Sequence, residues 1–217
     1  MLVVVKGAGD LASGIALRLY HSGFSVVMTD LPNPLAIRRT VSFCEAIRDG
    51  QMVVEDVTAK CAITKEDVYR ILDEGCIPVL PDPEAKIISE ISPDVVIDAI
   101  LAKRNVGTTI TDAPIVIAVG PGFEAGKDCH AVIESMRGHT LGRAIYEGPA
   151  LPNTNIPGLI GGFAGERVLR APADGLFESV RKIGDIVKTG DVIGFVDGKP
   201  MVSTIDGVLR GLIADGT

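Results

Sequence analysis

Six residues near the start of the chain have the types and spacing to hold a phosphate. Gly7-Ala8-Gly9-Asp10-Leu11-Ala12 fits G-x-G-x-x-G/A. In that pattern the first glycine allows a tight turn. The second lets a pyrophosphate approach the backbone, and the small third residue lets a helix pack closely on a strand. A helix that opens there supplies free N–H groups and partial positive charge. Asp30 follows at the distance where an acid accepts from both ribose hydroxyls and repels a 2′-phosphate, which favours NAD over NADP. The same turn also fits a crevice that is empty or put to another use. Asp10 is unfavourable beside a phosphate and could instead cap the helix.

Other residues could reach the same edge. Gly120 and Gly122 begin a second glycine-rich loop, Gly120 to Asp128, directly after an apolar run. Its glycines suit either close backbone approach to a ligand or a sharp turn. Asp98, Lys103 and Arg104 follow another apolar run and would face the same crevice. Arg38 and Arg39 could reach an anion there or lie on a solvated helix face. Cys129-His130 and Arg137-Gly138-His139 match no standard zinc spacing, so no metal is expected. His139, between Arg137 and Arg143, suits an anion or a turn, and His21 suits the surface. No residue is assigned a catalytic role.

The elements that must position these residues read as an alternating series. Leu2 to Val5 is a buried β-branched run, Asp10 to His21 has helical apolar spacing closed by Gly23, and Ser25 to Thr29 is a second strand ending at Asp30. Leu35 to Ile47 is expected to be a second amphipathic helix. Gln51 to Val54 reads as a strand, Thr64 to Asp73 as a helix opened by a capping box, and Ile77 to Leu80 as a strand. Glu84 to Ile91 is expected to be a short helix, with Val95 to Ile97 and Ile115 to Val119 as buried strands. This order predicts an α/β fold with a Rossmann-like doubly wound parallel sheet over 1–148. A Pro/Gly-rich linker over 149–165 and a small all-β module over 166–217 follow.

The module contains a repeat. Ala173-Asp174-Gly175-Leu176-Phe177 aligns with Ile205-Asp206-Gly207-Val208-Leu209 at an offset of 32 residues. The alignment continues through Val180 with Leu212 and Gly184 with Gly216. The first copy then runs into a hairpin that has no counterpart before Thr217, so the module reads as truncated. Ala171 to Gly175 and Gly184-Asp185-x-Val187-x-x-Gly190-Asp191 resemble a biotinyl/lipoyl-type barrel-sandwich hybrid. Lys199 lacks the flanking residues of a modified lysine, and no covalent biotin or lipoyl group is expected.

Composition narrows the function classes. The chain has 217 residues, a net charge of −7, 47% hydrophobic and 4% aromatic residues and no Trp. An acidic chain poor in aromatics argues against a nucleic-acid surface. No apolar run approaches the ~18 residues of a membrane span. The four cysteines form no C-x-x-C pair, which suits small buried side chains in a reducing compartment. A cytoplasmic location and a homo-oligomeric assembly are expected.

Lys6 to Gly14, the Gly120 to Asp128 loop, Arg137 to Arg143 and the β module together resemble one family across essentially the whole chain. It is the accessory protein of the selenium-dependent molybdenum hydroxylase system. The resemblance implies a role in maturing the hydroxylase or inserting its cofactor. The implied partners are a nucleotide ligand, the hydroxylase and other maturation proteins, and the implied polypeptide is longer than this one. Two other classes stay open. An NAD-dependent oxidoreductase would need an acid or base such as Asp98, His130 or His139 beside the nicotinamide. A carrier or docking protein would act through the module.

Overall fold

The computed structural model describes all 217 residues, Met1–Thr217. They form two compact units. One comprises residues 1–34 and 41–153, and the other 35–40 and 154–217.

The first unit opens with β1 (Leu2–Lys6), α1 (Asp10–His21) and β2 (Ser25–Asp30). It continues with α2 (Glu45–Asp49), β3 (Gln51–Val54), β4 (Val57–Cys61), α3 (Lys65–Asp73), β5 (Ile77–Pro81) and α4 (Ile87–Ile91). It ends with β6 (Val95–Asp98), β7 (Ile115–Val119), β8 (Glu124–Ala125), β9 (Ala131–Ile133), β10 (Ala144–Ile145) and β11 (Gly148–Pro149). Nine strands join one mixed sheet in the order β10-β9-β7-β6-β1-β2-β5-β4-β3. Its interior pairs are parallel, and antiparallel pairs β3–β4 and β9–β10 close its edges. The middle strands are Val- and Ile-rich because both faces are covered. Val3, Val4 and Val5 of β1 are buried without exception.

The connection order reverses at β1, which lies between β2 and β6. In open α/β sheets such a reversal leaves a crevice outside the carboxyl ends of the strands. The turn after β1 lies there.

Helices are fewer than the alternation predicts. The segment expected as a helix over Leu35 to Ile47 forms a 3-10 turn at Arg39–Val41 and the five-residue α2. Its residues 35–40 pack in the second unit, where the Ile37 carbonyl accepts from the Leu212 N–H at 2.7 Å. A tertiary contact thus overrides local helical spacing. The links from β6 to β7 and from β7 to β9 contain no helix. In the first, the Asn105 side chain accepts from the N–H groups of Gly107 and Thr108, at 2.9 and 2.8 Å. Such local bonds compete with a helix.

The second unit contains β12 (Phe177–Ser179), β13 (Ile186–Val187), β14 (Val192–Val196), β15 (Lys199–Val202) and β16 (Gly207–Val208). Strands β12-β14-β15 make one antiparallel sheet and β13-β16 another. Phe177, Val187, Ile193, Val196, Leu209 and Leu212 form its core. Asp197 and Gly198 both have positive φ and make the two-residue β14–β15 turn. Lys199 therefore pairs with Val196 as a strand residue and is not at the hairpin tip. No helix of the protein is long and apolar enough to cross a membrane.

Candidate functional site

The glycine turn is held from both sides. Gly7 has φ of +93°, and a Cβ there would stand 3.0 Å from the Ala99 carbonyl oxygen and the Ile100 Cα. Its N–H donates to the Thr29 carbonyl at 2.8 Å. The Ala8 N–H donates to Asp30 Oδ2 at 2.7 Å. The Ala8 carbonyl accepts from the Cys44 N–H at 2.9 Å and from Ser13 Oγ at 3.1 Å. Ser13 Oγ in turn accepts from the Phe43 N–H at 2.8 Å. Ala8 and Ala12 are buried, so α1 lies close on the sheet.

Gly9 is the N-cap of α1, and no side chain caps that end. A Cβ at Gly9 would meet nothing within 4 Å. The first N–H groups of a helix have no intrahelical partner, and the positive dipole terminus of α1 has open space beside it at Gly9. Asp10 is the first helical residue and does not serve as the cap. Leu11 is half exposed beside it. These residues fit an anionic ligand at Gly9, with the Ala8 donor already committed to Asp30.

Asp30 ends β2. Its Oδ1 accepts from the Leu31 N–H at 2.7 Å, as Oδ2 does from Ala8. Burial raises its carboxyl above the ordinary range, against the opposing pull of the two backbone donors. Each oxygen has further acceptor capacity, so the fixed carboxylate could take hydroxyl donors as well. Cys44 is fully buried nearby. Burial first, and then the charges of Asp30 and Glu45, push its thiol up to about 12. That thiol is inert at neutral pH.

Asp98 is also at this edge, but buried in a polar cluster. Its Oδ2 accepts from Thr108 Oγ1 at 2.6 Å, and its Oδ1 from the Ile100 N–H at 3.1 Å. Thr108 Oγ1 accepts from Lys6 Nζ at 2.5 Å, and Lys6 Nζ lies 3.9 Å from Asp98 Oδ2. Lys6 and Asp98 face each other in the β1–β6 register. Neither Lys6 nor Thr108 stands out in the sequence as a site residue. The only hint is a lysine in an otherwise apolar strand, immediately before the glycine turn.

The second glycine loop packs on the chain itself. A Cβ at Gly122 would lie 2.5 Å from Arg104 Cα, and one at Gly120 2.7 Å from Ser135 Oγ. Both have positive φ. They hold this loop against the β6–β7 loop, and the Lys103 and Arg104 side chains remain exposed.

Other expected neighbours are elsewhere. Arg39 Nε donates to the Leu212 carbonyl at 2.9 Å inside the second unit, and neither Arg38 nor Arg39 lies in an α-helix. His130 Nδ1 accepts from the N–H of Val116, near the start of β7, at 3.0 Å. His130 is thus at the amino edge of the sheet, opposite the glycine turn. There it lines a depression of about 820 Å³ with Asp94, Asp112 and Ser92. His139 is in an exposed turn, and His21 bonds Asp56 on the surface. No three His, Cys, Asp or Glu side chains converge. All four cysteines are free.

The chain is 51% identical over 215 residues to a protein of Escherichia coli (strain K12) named Uncharacterized protein YqeB. The aligned region covers 99% of this chain and 40% of that relative, so the chain spans about two-fifths of the relative's length. No family model and no solved structure matches the chain.

Proposed function

We propose that the carboxyl edge at Gly9 is a dinucleotide crevice in a Rossmann-like sheet. The observation that carries this reading is the uncapped amino end of α1, which opens onto free space at Gly9 where the strand order reverses. The N–H groups at Gly9, Leu11 and Ala12 would hold the pyrophosphate. Asp30 would accept from the ribose hydroxyls and exclude a 2′-phosphate. Asp98 would act through Lys6 and Thr108, by fixing the β6 side of the crevice. Gly120 and Gly122 would do so by seating the neighbouring loop. The ligand class is NAD or another dinucleotide, the nucleotide form of the molybdenum cofactor among them, since each presents a pyrophosphate.

In this reading the protein is an accessory factor in maturing a selenium-dependent molybdenum hydroxylase or its cofactor. Support for that role comes from the combination of glycine turn, second glycine loop, Arg137 to Arg143 segment and β module in one chain. A plain oxidoreductase is less well supported. Asp98 is committed to Thr108 and Ile100, and His130 is at the opposite edge.

The test is a fluorescence titration with NADH and, separately, with NADPH. The expected result is saturable NADH binding, weaker NADPH binding, and loss of both in Gly9→Val with the circular dichroism unchanged. Absence of binding at millimolar concentration, or equal binding by Gly9→Val, would overturn the reading.

A further inference from the structure

Three loops at the carboxyl edge form one continuous ledge on the β6 side of the glycine turn. The loop after β6 begins against that turn, where a Cβ on Gly7 would stand 3.0 Å from the Ala99 carbonyl oxygen. Farther along, it packs on the loop after β7. A Cβ on Gly122 would lie 2.5 Å from Arg104 Cα, and one on Gly120 3.1 Å from Leu101 Cδ2. Gly120 also meets the loop after β9. Its Cβ would lie 2.7 Å from Ser135 Oγ, and its N–H donates to the Ile133 carbonyl at 2.8 Å.

The outer two loops are braced. The one after β9 is closed at its base by the buried Glu134. Glu134 Oε1 accepts from the Met136 N–H at 2.7 Å and Oε2 from the Leu151 N–H at 2.8 Å. Its own N–H donates to the Arg143 carbonyl at 2.9 Å, and its carbonyl accepts from the Gly142 N–H at 2.8 Å. In the loop after β6, Leu101 and Lys103 have φ of +59° and +62°. Residues other than glycine keep such angles only where the surrounding packing over-determines them.

These two loops present positive charge. Residues 99–110 contain Lys103 and Arg104, residues 135–146 contain Arg137 and Arg143, and neither stretch contains an Asp or Glu. All four cations are exposed, and none enters an ion pair of the fold. The acids at the bases of the loops, Asp98 and Glu134, are buried and committed to internal hydrogen bonds. The whole chain has a net charge of −7, so the ledge is a local reversal of sign.

Position decides what that charge is for, given the dinucleotide reading on which this step rests. Asp30 is on the β2 side of β1, and the ledge is on the β6 side. At about 4.8 Å per strand, the loops after β6, β7 and β9 lie roughly 5, 10 and 14 Å from the turn. A ligand with its pyrophosphate at Gly9 and its first ribose at Asp30 runs its other half along the ledge. We propose that this second half carries an anionic group of its own, and that Lys103, Arg104, Arg137 and Arg143 select for it. A cationic ring in the same place is disfavoured. The oxidised nicotinamide is such a ring, so the ledge also weighs against hydride transfer to NAD+ as the chemistry of the crevice.

The probes are NAD+ and nicotinic acid adenine dinucleotide, which differ by a carboxylate in place of the carboxamide on the second half. Isothermal titration of the 217-residue chain compares them at low ionic strength and at about 1 M, where the Debye length is about 3 Å. The acid should bind about threefold to tenfold more tightly at low ionic strength, and the ratio should shrink toward one at high. In a variant with Lys103→Gln, Arg104→Gln, Arg137→Gln and Arg143→Gln the ratio should be about one throughout, with circular dichroism reporting the fold. Equal affinities in the unsubstituted chain would overturn the inference and leave the crevice standing, whereas binding of neither probe would remove the crevice itself. A preference that survives in the folded variant also sinks the assignment. The salt dependence decides even if that variant does not fold, because a preference insensitive to salt is incompatible with exposed cations as its source.

Discussion

At the scale of single residues, the two glycines of the turn do different work. Gly7 is held at positive φ against the Ala99–Ile100 backbone, whereas Gly9 has ordinary backbone angles and open space at its Cβ position. Gly7→Ala should cost about 1–3 kcal/mol of stability, and Gly9→Val, which only replaces a tolerated N-cap residue with a poor one, about 1 kcal/mol or less. Chemical denaturation of the two variants checks that contrast, and nucleotide titration should show the loss in Gly9→Val. Asp30 makes a pH-dependent prediction. Its folded carboxyl titrates above the ordinary range because it is buried, so the fold binds more protons than the unfolded chain in that window. Its contribution to stability therefore declines as pH rises from about 3.9 through the raised folded value. Nucleotide affinity should change in the opposite sense, because the ribose hydroxyls need the ionised acceptor. NADH affinity should strengthen over that rise and flatten in Asp30→Asn. The G-x-G-x-x-A spacing and the acid after β2 were legible in the sequence because they are local. The second glycine loop was ambiguous there, and the backbone of Lys103–Arg104 under Gly122 accounts for its shape.

At the scale of elements, local signals hold where no distant partner competes. Thr64 caps α3, with Thr64 Oγ1 accepting from the Asp67 N–H and Asp67 Oδ2 accepting from the Thr64 N–H, both at 3.2 Å. The Arg70 guanidinium first, and then the Ile63 and Thr64 N–H groups, hold the Asp67 carboxyl down at about 2. That contribution is present above the unfolded value and lost as pH falls toward the folded one. Thr64→Ala should lower stability by about 1 kcal/mol, read by thermal unfolding at neutral pH. The expected helix over Leu35 to Ile47 had good spacing but fails because Ile37 and Arg39 are claimed by Leu212. Nothing in a 13-residue window reveals a partner so far along the chain. The same distance concealed the Lys6–Thr108–Asp98 cluster, which joins the ends of β1 and β6 to the loop that follows β6. Lys6→Met leaves a buried carboxylate without its cation and should cost about 3–5 kcal/mol. The measurement is a urea midpoint, and pairing Lys6→Met with Asp98→Leu should recover part of the loss.

At the scale of the whole molecule, alternation in the sequence was enough to indicate an α/β sheet but not its reduced helix content or its antiparallel edges. Gln51 to Val54 was legible as a strand, but its antiparallel partner β4 was not, and the two-residue strand β10 at the other edge is too short to register as a periodic signal. The central position of β1 has a consequence for how the chain is made. One side of β1 is completed early, since the Ala8–Asp30 bond spans 22 positions. The other side waits for β6, and the Lys6–Thr108 bond spans 102. During synthesis the nascent chain therefore carries β1 with one edge of unpaired backbone groups until β6 has left the ribosome. Unpaired edges of this kind invite pairing with the wrong strand. That interval is when mispairing of β1 has the most opportunity, and slowing elongation between residues 30 and 95 should lengthen it.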